Sequence, residues 1–191
     1  MINIAVFASG NGSNAVNIYN FFKNHPTISF KIIYCNNPTA GIISKAKNLN
    51  IECRVFNKNE WQNGIVKTEL IDKKIDFVIL AGFLWLVNSD IIKAFENRIL
   101  NIHPSLLPNY GGKGMYGDKV HHAVIENKEN ESGITIHIVN DKYDEGKIVF
   151  QDKIRVETNE TIEKLAAKIH ELEYKNYPKV IENYILNYKI L

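Results

Sequence analysis

Through its first hundred residues the chain alternates short β-rich runs with helical stretches, and that rhythm leaves few folds open to it. Residues 3–8 read as a strand, followed by the turn Ser9-Gly10-Asn11-Gly12-Ser13-Asn14 and a helical pattern over 15–23. Strands are expected again at 29–35, 52–56, 77–81 and 99–102, with helices at 41–49, 57–74 and 88–96 between them. Pro38 breaks the chain after the second strand, because proline restricts both itself and its predecessor. Asn57 followed three residues later by Glu60 has the form of a capped helix start. Phe77-Val78-Ile79-Leu80-Ala81 is apolar without interruption, as a parallel strand covered on both faces must be. The repeat predicts an α/β fold: an open, mostly parallel, twisted sheet of Rossmann-like type with helices on both faces.

After residue 103 the rhythm changes. Residues 104–117 form a long loop rich in glycine and proline, and 119–127 a helix. Ile134, Ile136 and Ile138 alternate with Thr135 and His137, which predicts a strand with one apolar and one polar face. Residues 148–156 are its expected antiparallel partner. Ile162, Leu165, Ala166, Ile169 and Leu172 recur at helical spacing, predicting a helix from 161 to about 174. In 191 residues there is no internal repeat, low-complexity tract or linker. A single domain, 1–191, is therefore expected, with a phosphate-binding half at 1–100 and a catalytic half at 101–191.

The formal charge is +2, with both signs interspersed, so the dense basic face of a nucleic-acid binder is not expected. No apolar run reaches membrane-spanning length, and the N-terminal run is too short and lacks the basic flank of a signal peptide. The expectation is a cytoplasmic protein with no membrane partner. Cys35 and Cys53 fall in stretches that read as buried strands. Two cysteines make neither a disulfide framework nor a zinc site, so both are expected as reduced core thiols.

Two segments carry candidate chemistry. The glycine turn leads from a strand into a helix, an arrangement that presents unpaired N–H groups and a partial positive charge to an anion. Gly12, Ser13 and Asn14 are the candidate ligands. The later glycine of a dinucleotide fingerprint and the lysine of a P-loop are both missing, which favours a monophosphate. The second segment is Asn101-Ile102-His103-Pro104-Ser105-Leu106-Leu107-Pro108, at the end of a core strand. Asn101 and His103 are two apart and share one side of that strand. An uncharged amide donor beside a group that titrates near neutrality is suited to stabilising an oxyanion and delivering a proton. Asp144, in the turn between the two late strands, is the carboxylate expected to reach His103 and raise its pKa. For His25, His121, His122, His137 and His170 a structural or solvated role is the default. His137 draws attention because its strand leads toward Asp144.

At these residues the chain resembles the folate-dependent formyltransferase family over nearly its full length, as far as Tyr177-Pro178. The matching pieces are Ser9-Gly10-Asn11-Gly12-Ser13-Asn14, Leu80-Ala81-Gly82-Phe83, the segment 101–108, and Asp144 with Gly146. The resemblance implies transfer of the formyl group of 10-formyltetrahydrofolate, the cosubstrate, to the amine of glycinamide ribonucleotide in purine synthesis, with no metal. It implies catalytic roles for Asn101, His103 and Asp144, and phosphate binding by Gly12, Ser13 and Asn14. It also implies contacts to the glycinamide substrate from Pro104 and Glu173. Leu84, Trp85, Leu86 and Val87 would border the folate pterin beside Asn101, with Asn140, Asp141 and Tyr143 on a loop closing over it. Monomer and homodimer both stay open.

The chain departs from the family at Trp85, where an arginine is common, and in the glycine-rich 111–117 loop, which is longer than its counterparts. Family members acting on a tRNA-linked amino acid or a sugar nucleotide usually carry a further C-terminal domain, and the related hydrolases an N-terminal regulatory one. Neither is expected here. A phosphate-ligand binding module without catalysis is the alternative from another class, and the trio Asn101, His103 and Asp144 argues against it.

Overall fold

The computed structural model describes residues 1–188. Seven strands form one sheet: β1 (Ile2–Ala8), β2 (Ile28–Cys35), β3 (Cys53–Val55), β4 (Phe77–Leu80), β5 (Ile99–His103), β6 (Glu131–Ile138) and β7 (Ile148–Arg155). Their order across the sheet is β3-β2-β1-β4-β5-β6-β7. The first five are parallel, and β6 runs antiparallel to both β5 and β7. The chain therefore works outward from β1 to β3, then returns to lay β4 on the other side of β1. That reversal opens a crevice at the carboxyl ends of β1 and β4, where sheets of this kind take ligands.

Alternation along β1 divides the core. Ile4, Val6 and Ala8 join one apolar cluster with residues of α1 (Ser13–Phe22), α2 (Gly41–Asn48), α6 (Asp118–Glu126) and α7 (Ile162–Asn187). Ala5 and Phe7 face the opposite cluster, built with α3 (Lys58–Gln62), α4 (Ile65–Asp72) and α5 (Ser89–Ala94). Both faces are covered, as the uninterrupted apolar run of β4 requires.

Three expectations are corrected. The single helix over 57–74 is two. Asn57 and Glu60 do form a reciprocal capping box, but Gly64 turns left-handed at φ 75 and interrupts the hydrogen-bond ladder between α3 and α4. The last helix does not stop near Tyr174 but runs through Pro178 to Asn187. Proline lacks the N–H that would reach the carbonyl four residues back. That carbonyl, on Tyr174, instead accepts from Asn17 Nδ2 at 3.0 Å, so the helix continues without an orphaned acceptor. The predicted polar face of β6 is buried: Thr135 is inaccessible and His137 nearly so. Cys35 is buried and Cys53 half-buried, and both are free thiols.

Tyr177 links this frame to the crevice. Its hydroxyl donates to Leu80 O at 2.8 Å, with Leu100 O at 3.2 Å. It thereby ties α7 to the ends of β4 and β5.

Candidate functional site

A cavity of about 610 Å³ opens at the crevice. One wall is the glycine turn. Gly12 caps α1 with φ 70, and a Cβ there would strike Ile42, so the turn admits only glycine at this point. No side chain caps the first turn of α1 and no acidic residue lies in it. The N–H groups there remain available to an anion. Ser13 and Asn14 line the cavity with Gly12. Asn14 Nδ2 donates to Glu173 Oε2 at 2.9 Å, and the same oxygen lies 2.9 Å from His170 Nδ1. Glu173 is buried and faces the cavity from α7, as does His170.

The opposite wall is the carboxyl end of β5. Asn101 and His103 both line the cavity, with Pro104 directly after them. Asp144 reaches His103: its Oδ2 is 3.5 Å from His103 Nδ1. Asp144 holds a left-handed conformation, φ 57, which aspartate tolerates better than most residues. Its Oδ2 also accepts from Gly112 N–H at 2.9 Å, and His103 Nε2 donates to Tyr110 O at 2.8 Å. Imidazole, carboxylate and the start of the 111–117 loop thus form one network. Thr135 anchors the 104–108 segment from beneath, donating to Ser105 O at 2.7 Å and accepting from Leu107 N–H at 3.0 Å. This is why the second face of β6 is covered.

His137 stands directly opposite Asn101 across β5 and β6. Its Nδ1 donates to Ile138 O at 3.0 Å. Its Nε2 lies 3.0 Å from Asn101 Nδ2 and 3.6 Å from Asp144 Oδ1. One ring nitrogen serves only one of these at a time. With the Nδ1 hydrogen on Ile138 O, Nε2 is placed to accept from Asn101 Nδ2.

Burial pushes the His103 pKa below its ordinary 6.5, and the neighbouring Asp144 charge recovers only part of the loss. The expected rise is therefore corrected to a fall, because removing the imidazolium from water outweighs the single carboxylate. Asp144 is itself half-desolvated, which raises its pKa. The His137 ring, the His103 charge and the Gly112 N–H together more than reverse this, leaving it below the ordinary value. At neutral pH the pair rests as neutral imidazole and carboxylate.

The resemblance-derived folate residues divide. Leu84 and Tyr143 line the cavity; Trp85, Leu86, Val87, Asn140 and Asp141 do not. Trp85 turns into an aromatic cluster with Phe56, Trp61 and Phe83. The Leu86 carbonyl takes the Trp61 indole N–H at 3.3 Å, and Val87 is buried. Asn140 Oδ1 accepts from Lys142 N–H at 3.1 Å, and Asp141 is exposed.

Two cavity histidines were given no site role from the sequence. His121 is buried against the cavity with its Nδ1 unpartnered, and His170 pairs with Glu173. The signals were present: His121 shares the buried side of α6 with Val120 and Val124, and His170 sits three residues before Glu173, one helical turn away. Among the described residues, no group of three or more His, Cys, Asp or Glu is arranged to hold a metal ion, and no helix is long and apolar enough to cross a membrane.

The buried histidines set a pH dependence of stability. His103 and His121 both have pKa values lowered chiefly by burial. On acidification the unfolded chain binds protons first, near 6.5, so stability falls as pH drops below that value. Asp144, lowered, contributes fully above the ordinary carboxylate range, and that contribution is lost as the pH falls from there through its own reduced pKa. His170, raised by Glu173, works oppositely: its contribution is full below 6.5 and is lost as pH rises through its folded value. The urea midpoint is expected to be lower at pH 5.5 than at 7.5, and His121→Gln should narrow the difference. A midpoint that climbs on acidification would contradict the burial argument.

A family model described as formyl transferase matches residues 2–181. A chloroplastic phosphoribosylglycinamide formyltransferase of Arabidopsis thaliana is 42% identical over 191 residues, covering 93% of this chain. The chain spans 63% of that relative's length, less than two thirds. The phosphoribosylglycinamide formyltransferase of Bacillus subtilis is 32% identical over 95% of this chain and 94% of its own. The crystal structure of phosphoribosylglycinamide formyltransferase from Bacillus halodurans superposes with a TM-score of 0.87 at 30% identity, covering 99% of this chain and 98% of that one.

Proposed function

The chain belongs to the formyl transferase family, and from that premise we propose that it transfers the formyl group of 10-formyltetrahydrofolate to the amine of glycinamide ribonucleotide. The observation that carries this reading is that two groups of residues, distant in the chain, line one cavity. The glycine turn at the start of α1 shares that cavity with Asn101 and His103 at the end of β5 and with Asp144 from the turn between β6 and β7. In this reading the first hundred residues supply the cradle, and the rest supply the catalytic strand and the folate loop.

The reaction joins the amine nitrogen to the formyl carbon and breaks that carbon's bond to the folate nitrogen. The amine loses a proton and the leaving nitrogen gains one. Asn101 donates to the oxygen that becomes negative in the tetrahedral intermediate. His103 keeps the Nε2 proton on Tyr110 O, so Nδ1 is the nitrogen that changes state. It takes up a proton as the amine adds and passes it to the leaving nitrogen. Asp144, 3.5 Å away, makes that transient imidazolium accessible despite burial. Glu173 and His170 present acceptors and a donor to the sugar side of the ligand, and Pro104 shapes the approach of the amine.

Incubation with 10-formyltetrahydrofolate and glycinamide ribonucleotide should yield the formylated amine, with no formate released when the amine is left out. Formate release without the amine would mark a hydrolase, and no turnover of either kind would leave a binding module.

A further inference from the structure

We infer that Lys45 supplies the positive charge for the phosphate and so selects the phosphorylated amine over its unphosphorylated form. The inference rests on the phosphate reading of the glycine turn. Helix α2 is docked onto that turn. Ile42 N–H donates to Gly10 O at 3.2 Å, the Ile42 side chain fills the space beside Gly12, and the Cβ position of Gly41 is 3.0 Å from Asn11 Oδ1. One helical turn further along the same face stands Lys45, whose Nζ donates to Asn11 Oδ1 at 2.6 Å.

Three features make this more than a structural clip. First, the partner is a neutral amide. Lys67, Lys73, Lys142, Lys153 and Lys168 are each paired with a carboxylate that cancels their charge, whereas Asn11 leaves the Lys45 charge whole. Second, an ammonium can only donate. It therefore fixes the Asn11 amide with its oxygen toward α2 and leaves the NH2 as a further donor on a residue that lines the cavity. An ammonium carries three hydrogens, so two remain for another acceptor. Third, the cradle's own donors, the first-turn N–H groups and the Ser13 hydroxyl, carry no formal charge; the Glu173 carboxylate on the adjoining wall is shared by Asn14 and His170, and Lys113 lines the cavity from the 111–117 loop, not from the turn. A dianionic group entering beside that carboxylate is favoured by a cation on the far side of the turn.

The test compares the parent protein with Lys45→Met and Lys45→Arg, using glycinamide ribonucleotide and the same amine lacking its phosphate. In Lys45→Met the KM for the phosphorylated amine should rise roughly tenfold at low salt. The rise should shrink as salt is added, and kcat and the KM for the formyl donor should stay within about twofold. Inorganic phosphate should inhibit the variant more weakly than the parent. With the unphosphorylated amine the two proteins should match, and Lys45→Arg should retain most of the preference. Equal losses on both amines would show that Lys45 only props the turn, and unchanged KM values would show that it does nothing there; either outcome overturns the inference. The underlying phosphate reading fails separately, if inorganic phosphate does not compete in the parent and Ser13→Ala leaves the KM for the phosphorylated amine unchanged.

Discussion

Asp144→Asn and His103→Ala should each lower kcat by at least about a hundredfold, the usual scale for loss of a proton-transfer group or its partner. The two variants test different halves of one device. His103→Ala removes the group proposed to move a proton between the attacking and leaving nitrogens. Asp144→Asn leaves that group in place but withdraws the charge that makes its protonated form accessible. Burial already holds the His103 pKa down, so without the carboxylate the imidazolium becomes harder still to reach. The asparagine can still accept from Gly112 N–H, which Asp144 Oδ2 holds at 2.9 Å. The 111–117 loop should therefore stay in position, and the loss should fall on kcat more than on KM. The pH–rate profile separates this from mere disorder: the acidic limb belonging to the pair should shift in Asp144→Asn while binding of both substrates is retained. Near-normal turnover in both purified, folded variants would remove the proton-transfer assignment.

The parts of this device differed in how far the sequence disclosed them. Periodicity located all seven strands, because an α/β sheet writes its buried strands as apolar runs and its turns as glycine and proline. It placed Asn101 and His103 on one side of β5, because side chains two apart on a strand share a face. It misread β6. Alternation of isoleucine with Thr135 and His137 looks like a half-solvated strand, yet the polar face is covered by the 104–108 segment bonded to Thr135 and by Asp144 beside His137. Local pattern records polarity, and only tertiary contact decides whether a polar face meets water or another polar group. The same limit hid His121 and His170, whose significance depends on α6 and α7 packing against the crevice. The direction of the His103 shift was lost for a related reason. A neighbouring charge can be guessed from residue identity, whereas the degree of desolvation opposing it cannot. The continuation of α7 past Pro178 likewise depends on Asn17, far away in the chain, accepting the duty of the missing N–H.

Asn101 offers the complementary measurement, because the task proposed for it is electrostatic and requires no proton to leave it. An amide donor aimed at a developing oxyanion contributes roughly 3–4 kcal/mol, so Asn101→Ala should reduce kcat by about 10²–10³-fold. The KM for either substrate should change little, since the carbonyl oxygen of the bound formyl donor carries only partial charge before attack and gains far more in the intermediate. Asn101 is held for this role by His137, whose Nε2 lies 3.0 Å from the amide nitrogen and whose ring is fixed in turn by the Ile138 carbonyl. Asn101→Asp should be worse than Asn101→Ala, because it places a second carboxylate beside the one 3.6 Å from His137 and opposes the charge that forms. His137→Phe should give a smaller loss than Asn101→Ala, because the amide persists but is no longer oriented. A single-turnover rate in Asn101→Ala within tenfold of the parent would show that the oxyanion is stabilised elsewhere. A loss in KM without a loss in kcat would show that Asn101 binds the ground state and does no more.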